Sequence, residues 1–314
     1  MMNFFDIIRE IREVDCKKTL LLGNGYLQID EYGDVFKYDS LVDKMLELKS
    51  KNMGERLSNF ISDKKESNNT NLEYHLKILS DANRALDYLE HTVYCDSCNT
   101  SGKLKNDLEK DRCLLKDLIL ETIKEIHPRG IKNNEIFKNC SENILNFDHL
   151  YTINYDLFLY WLFLKSNELS GINKFKDGMI EEITHDESKL KLQKWSDRHP
   201  SFTVHFLHGG VHLFVDDDNN TLKIKKVQGS ILNLIELINQ AQNELNSYSN
   251  LMVLEGESDE KLAYINSNPY LKKCLNKFGN MILPHFNRHT FLLNYESNKE
   301  VSHDEIDKKI HRRI

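Results

Sequence analysis

At 314 residues, with 40% hydrophobic and 29% charged side chains, the chain has an ordinary globular composition and enough length for a full core. Its net charge of −7 argues against a general nucleic-acid binder, which needs a basic face. No apolar run reaches the roughly 18 residues of a membrane span, and Asp6, Arg9, Glu10 and Glu13 break the apolar stretch a signal peptide would need, so a cytoplasmic protein is expected.

Phe4 to Val14 has the pattern of an amphipathic helix. Thr19 to Leu22 is a short apolar run bounded by glycine, as in a strand buried on both faces. Gly23-Asn24-Gly25 follows, and its glycines would let the backbone turn sharply and approach a pyrophosphate. Gln28 stands where the full dinucleotide fingerprint has a third glycine, so a plain strand-to-loop turn is the alternative reading. Loop chemistry continues to Tyr38.

From about Leu41 to Ile144 the strand pattern gives way to helical spacing. Leu72, Leu76, Leu79, Ala82, Leu86 and Leu89 form one stripe, and Leu104, Leu108, Leu115, Leu118, Thr122 and Ile126 another, ending at His127-Pro128-Arg129-Gly130. Thr92 to Gly102 reads as the tip of a helical hairpin, and Ser62 to Thr70 as a polar, mobile stretch. Cys95 and Cys98 have zinc-ligand spacing, but a structural zinc needs four ligands and no second pair exists, so no metal is expected.

His149 to Ile153 reads as a second buried strand, followed by Asn154 and by a very apolar helix over Leu157 to Leu162 whose first turn Asp156 can cap. A carboxamide at that switch can donate and accept at once, which suits a ribose hydroxyl or an attacking water; it can equally cap a turn. Phe202 to Leu207 is a third strand, ending in His208-Gly209-Gly210. The glycines would bring the backbone near a ligand, and an imidazole titrating near neutrality can take a proton from a hydroxyl there. His199, His205 and His212 lack that glycine context.

Further strands are expected over 211–215 and 221–226, with Lys223-Ile224-Lys225-Lys226 as the solvated side of the latter, and a helix over Ile231 to Leu245. Leu251 to Leu254 reads as a fourth buried strand, ending in Glu255-Gly256-Glu257-Ser258. An ordinary helix start capped by Ser258 is the alternative for that last segment.

Taken together, the ordered segments Gly23-Asn24-Gly25, Thr152-Ile153-Asn154-Tyr155-Asp156 and His208-Gly209 resemble the sirtuin-type (SIR2-like) NAD-binding pattern of a Gly-Ala-Gly turn, a Thr-Gln-Asn-Ile-Asp segment and a His-Gly pair. Phe36-Lys37-Tyr38-Asp39-Ser40-Leu41, Leu207 to Phe214 and Glu255 to Leu262 add a similarity to the bacterial DUF4917 family of SIR2-like proteins, over roughly residues 19 to 275.

The resemblance implies an α/β fold with a Rossmann-like parallel sheet of sirtuin type, its strand ends at 22, 153, 207 and 254 sharing one edge, and a large helical insertion. Residues 1–41 and 146–314 would form the SIR2-like domain and 42–145 the insertion. It further implies Asn154 and His208 as catalytic residues, and Gly23, Asn24, Gly25, Asp156, Gly209, Glu255, Gly256 and Ser258 as contacts to NAD, bound as substrate or ligand. Asp156 would fix the Asn154 loop through backbone contacts.

NAD hydrolysis to nicotinamide and ADP-ribose is the expected activity, in antiphage defence by analogy, with a homo-oligomer or a defence-system protein as partner. An inactive nucleotide sensor or a helical scaffold are the alternatives. Three departures bear on the choice. Leu27 replaces a usual serine, and the family's late Gly-His-Ser-Leu strand is reduced to Met281-Ile282-Leu283 before Pro284. The Asn-Asp-Glu-His-Ile segment that should follow that strand survives only as Asp304-Glu305-Ile306.

Overall fold

The computed structural model describes residues 17–23, 36–48, 54–67, 69–92, 99–130, 134–184, 191–197, 202–225, 233–244 and 248–282. The expected helix over Phe4 to Val14, together with Asn24, Gly25, Leu27, Cys95 and Cys98, lies outside them. The described residues fall into two compact units, one holding 17–23, 127–252 and 265–282, the other 36–126 and 253–264.

The first unit contains strands β1 (Thr19–Leu22), β2 (His149–Thr152), β3 (Met179–Thr184), β4 (Lys191–Trp195), β5 (Val204–Phe206), β6 (Gly209–Val215), β7 (Thr221–Ile224) and β8 (Ser249–Met252). β1, β2 and β5 form a parallel sheet in that order, with Leu22 opposite Thr152 and Thr152 opposite Phe206. Leu20, Leu22, Leu150, Tyr151, Val204 and Phe206 are all buried. Such near-continuous apolar runs are what a parallel sheet covered on both faces demands.

The other five strands form a second sheet, ordered β3-β4-β7-β6-β8, in which every pairing is antiparallel. This corrects the expected fourth parallel strand. The run near Leu251 pairs with β6, Met252 opposite Gly209 and Ser249 opposite Val215. A four-residue buried run carries no signal of direction, and Asn250 commits it to this partner by donating its amide to the Val211 carbonyl at 3.0 Å. β3 and β4 were not anticipated, because Glu181, Glu182, Lys191 and Lys194 mask their apolar positions.

The helices, in chain order, are α1 (Tyr38–Glu47), α2 (Glu55–Glu66), α3 (Leu72–Thr92), α4 (Asn99–Ile126), α5 (Asn134–Ile144), α6 (Phe158–Ser170), α7 (Leu234–Glu244), α8 (Ser258–Ser267) and α9 (Pro269–Ile282). Every element described between residues 36 and 126 is helical. α3 and α4 bury Leu72, Leu76, Leu79, Leu115 and Leu118, whereas Leu89 and Leu104, beside the connection between them, are exposed.

Ser62 to Glu66, expected to be mobile, complete α2, because Leu57 and Ile61 give that segment a buried face. α6 ends at Gly171, whose φ of 65° supplies the left-handed residue that closes many helices. Met281 and Ile282 belong to α9 and not to a late strand, since the apolar positions of that segment follow helical spacing from Tyr270 and Leu271 through Cys274.

Candidate functional site

Because β1, β2 and β5 run parallel and adjacent, Gly23, the segment Ile153 to Asp156, and Leu207-His208 leave the sheet at the same edge. Backbone bonds stitch the three exits together. Ile153 N donates to the Leu22 carbonyl at 3.3 Å, and Leu207 N to the Thr152 carbonyl at 2.9 Å. The Thr152 hydroxyl donates to Leu22 O at 3.2 Å and accepts from Asn154 N at 3.0 Å, locking the turn on which Asn154 sits. Among the described residues nothing lies within 4 Å of where a Cβ at Gly23 would sit. Ile153 is exposed beside it.

Asn154 and Asp156 are each only 5% exposed. The Asn154 amide donates to the Asp156 carboxylate. That fixes which end of the carboxamide points where, and leaves Asn154 Oδ1 buried with no hydrogen-bond partner among the described residues. Asp156 Oδ1 also accepts from Phe158 N at 2.8 Å, in the first turn of α6. Burial raises the Asp156 carboxyl to about 6, against the lowering effect of bonds from Phe158, its own backbone and Asn154.

His127, read in the sequence only as part of a helix stop, completes this support. Its Nε2 accepts from Leu157 N at 2.9 Å and its Nδ1 donates to the Pro128 carbonyl at 2.9 Å. The ring is therefore a neutral Nδ1–H tautomer, and burial lowers its pKa to about 4. No residue pattern near Asn154 reveals it, since it comes from 30 positions upstream of the group it caps.

His208 sits where the chain leaves β5 of one sheet and enters β6 of the other. It is half-buried, and its ring faces that of Tyr155 at 6.2 Å between centroids and 30° between planes. Gly209 and Gly210 already belong to β6. Gly209 has φ of 74°, and a Cβ there would lie 1.9 Å from the Leu251 carbonyl oxygen, so its close approach is to β8. A Cβ at Gly210 would press on the His212 ring at 3.1 Å. Val211 N donates to Tyr155 O at 2.9 Å, tying the His208 segment to the Asn154 loop.

The neighbouring imidazoles are core groups. His205 is fully buried against Tyr151 and Phe202, with its Nε2 3.3 Å from His149 Nδ1. Burial, then the charges of His149 and Lys277, lower its pKa to about 2. His212 is also fully buried, and burial beside Lys223 and His127 holds it well below the usual range.

The structure thus brings Gly23, Asn154, Asp156 and His208 to one sheet edge, while Glu255, Gly256 and Ser258 belong to the helical unit. There the Glu255 carboxylate accepts from Lys116 at 2.5 Å and Arg112 at 3.1 Å. A Cβ at Gly256 would lie 2.2 Å from Lys77 N of α3, so this glycine is required for packing on that helix. Ser258 is exposed at the first position of α8. Among the described residues no cluster of three or more His, Cys, Asp or Glu could hold a metal ion, and no helix is long and apolar enough to cross a membrane.

Fold and site together define a mixed α/β protein with a polar, glycine-bordered edge on a parallel sheet. The chain belongs to the DUF4917 family, described as a domain of unknown function, which matches residues 20–286. No curated protein gives a significant match.

Proposed function

We propose that this chain is a SIR2-like protein that binds NAD at the carboxyl edge of its parallel sheet and hydrolyses it to nicotinamide and ADP-ribose. One observation carries the reading: Asn154 Oδ1 is buried without a partner among the described residues in the middle of that edge, at the end of the strand next to the one that half-buried His208 follows. A buried acceptor left unpaired is unfavourable by about 1–3 kcal/mol, and a hydroxyl donated by ligand or water relieves it.

The chemistry then follows from the residues present. The bond between ribose carbon and nicotinamide nitrogen breaks with its electron pair going to the nitrogen, and the carbon passes through an oxocarbenium-like state. Asn154 Oδ1 accepts from a ribose hydroxyl or from the attacking water, with its amide held by Asp156. The His208 imidazole takes the proton of a ribose hydroxyl, which stabilises the developing positive charge. Water forms the new bond to carbon and loses a proton to solvent, and His208 returns its proton to the ribose oxygen.

The test is incubation of the full chain with NAD, reading nicotinamide by chromatography and thermal stability in parallel. Nicotinamide supports hydrolysis, and its absence overturns it. A second reading, a nucleotide sensor, is favoured by α9 occupying 281–282, where the SIR2-like pattern has a strand. It expects a thermal shift without product, whereas neither signal would point to a helical scaffold. By resemblance the hydrolase would act in antiphage defence, with a second copy or a defence-system protein as partner. Its expression would then lower cellular NAD.

A further inference from the structure

Lys223 was expected on a solvated strand face, yet it is only 5% exposed. Its ammonium donates to the carboxylate of Asp177, itself 6% exposed, and lies over the ring of Tyr160, 7% exposed, 5.0 Å from the centroid. A buried ion pair is a weak source of stability, because desolvating two charges offsets most of their attraction, and well-packed apolar residues of similar volume often do as well or better. The cluster therefore calls for a reason other than stability.

What it joins supplies one. Tyr160 lies in the first turn of α6, four residues after Asp156 and six after Asn154. Lys223 lies on β7, directly opposite Leu213 of β6, the strand that begins beside His208. His212, also on β6, packs on the Tyr160 ring at 5.0 Å and fills the space left by the missing side chain of Gly210. Asp177 holds the far side of the ammonium and accepts from Met179 N at 3.1 Å, at the start of β3. The helix that follows Asn154 is thereby pinned to the sheet that follows His208.

We infer that Tyr160 is a positioning residue: its ring, held between the Lys223 ammonium and the His212 imidazole, sets the placement of Asn154 relative to His208. This rests on the reading that both residues act on one nucleotide.

Tyr160→Leu in the full chain tests it, since it removes the ring that Lys223 and His212 hold and keeps an apolar side chain. The expected result is a folded protein whose KM for NAD stays within about threefold while kcat falls about 10–100-fold, the effect of misplacing a catalytic group by a fraction of an ångström to an ångström. The His208 ring resonance, assigned by its loss in His208→Gln, should shift. A companion variant, Lys223→Met with Asp177→Leu, removes both charges while keeping an apolar fill. It should fold and show the same loss of kcat and the same shift.

Folded variants with wild-type kcat and an unmoved His208 resonance would overturn the inference. If the wild type releases no nicotinamide, the hydrolase reading fails by itself. The His208 resonance then decides: a shift in both variants supports the positioning role, and an unmoved resonance overturns it.

Discussion

His208 and His205 are three residues apart, and their surroundings separate a half-buried imidazole at the sheet edge, the proposed base, from a packing one. His205 is sealed among Tyr151, Phe202 and His149, so His205→Ala should lower unfolding free energy by about 3 kcal/mol, as large-to-small core changes do. Its turnover per folded molecule should be unchanged, which chemical denaturation combined with active-site counting will check. Gly209→Ala should be more damaging than an ordinary glycine change, because it adds a positive-φ penalty of about 1–3 kcal/mol to a clash with the Leu251 backbone.

The sequence marks these glycines as special but does not say why. At Gly209 the close approach is to β8, a partner more than 40 residues away. Thr152 and His127 escaped notice for a related reason. Each acts through a hydrogen bond to a backbone group distant in sequence, and no local spacing encodes that.

The start of α6 shows how an element presents a site. Two of its first backbone N–H groups are taken by Asp156 and His127, so the turn holding Asn154 is fixed from below. Asp156→Ala should cost about 1 kcal/mol as a lost cap, and it frees the Asn154 amide; His127→Ala should cost about 1–3 kcal/mol by orphaning the Leu157 N–H. Thermal unfolding of the two variants checks both.

The buried histidines also set a pH dependence. His127 and His149 are lowered to about 4 and His205 to about 2, chiefly by burial, from 6.5. A pKa depressed in the fold means the neutral form is favoured there, so this stability is complete above about pH 6.5 and is lost as pH falls toward 4 and below. Asp156, raised from 3.8 to about 6, works oppositely: its protonated form is favoured, and its destabilising effect at neutral pH is relieved between pH 6 and 4. Among the described residues His75 and His212 are lowered too and Asp117 is raised, so with five imidazoles against two carboxyls Tm should fall between pH 6.5 and 4, and His205→Phe should reduce the slope by about one proton.

Strand existence was legible in the apolar runs of β1, β2 and β5, but strand direction at β8 was not, because its partner and not its composition decides it.

At the scale of the whole molecule, the alternation of buried strands with amphipathic helices was enough to read a mixed α/β protein carrying a helical stretch. The second, antiparallel sheet was not readable as such, since its charged strands β3 and β4 look like surface loops. The helical unit gains its own cohesion from the segment 253–264, where Glu255 pairs with Arg112 and Lys116, Glu257 with Lys77 and Lys261 with Glu73. Glu255 is largely buried and its removal takes the carboxylate from Lys116, while Arg112 keeps Glu109, so Glu255→Gln should lower the stability of this unit by about 1–3 kcal/mol, read as earlier hydrogen exchange in α4.

The central claim is that one sheet edge, built from Asn154 and His208, cleaves NAD. Its most direct measurement is nicotinamide release by the wild type, His208→Ala and Asn154→Ala, each corrected for the folded fraction. Both variants should lose about 10²–10⁴-fold in turnover with their folds intact. Full turnover in both would contradict it.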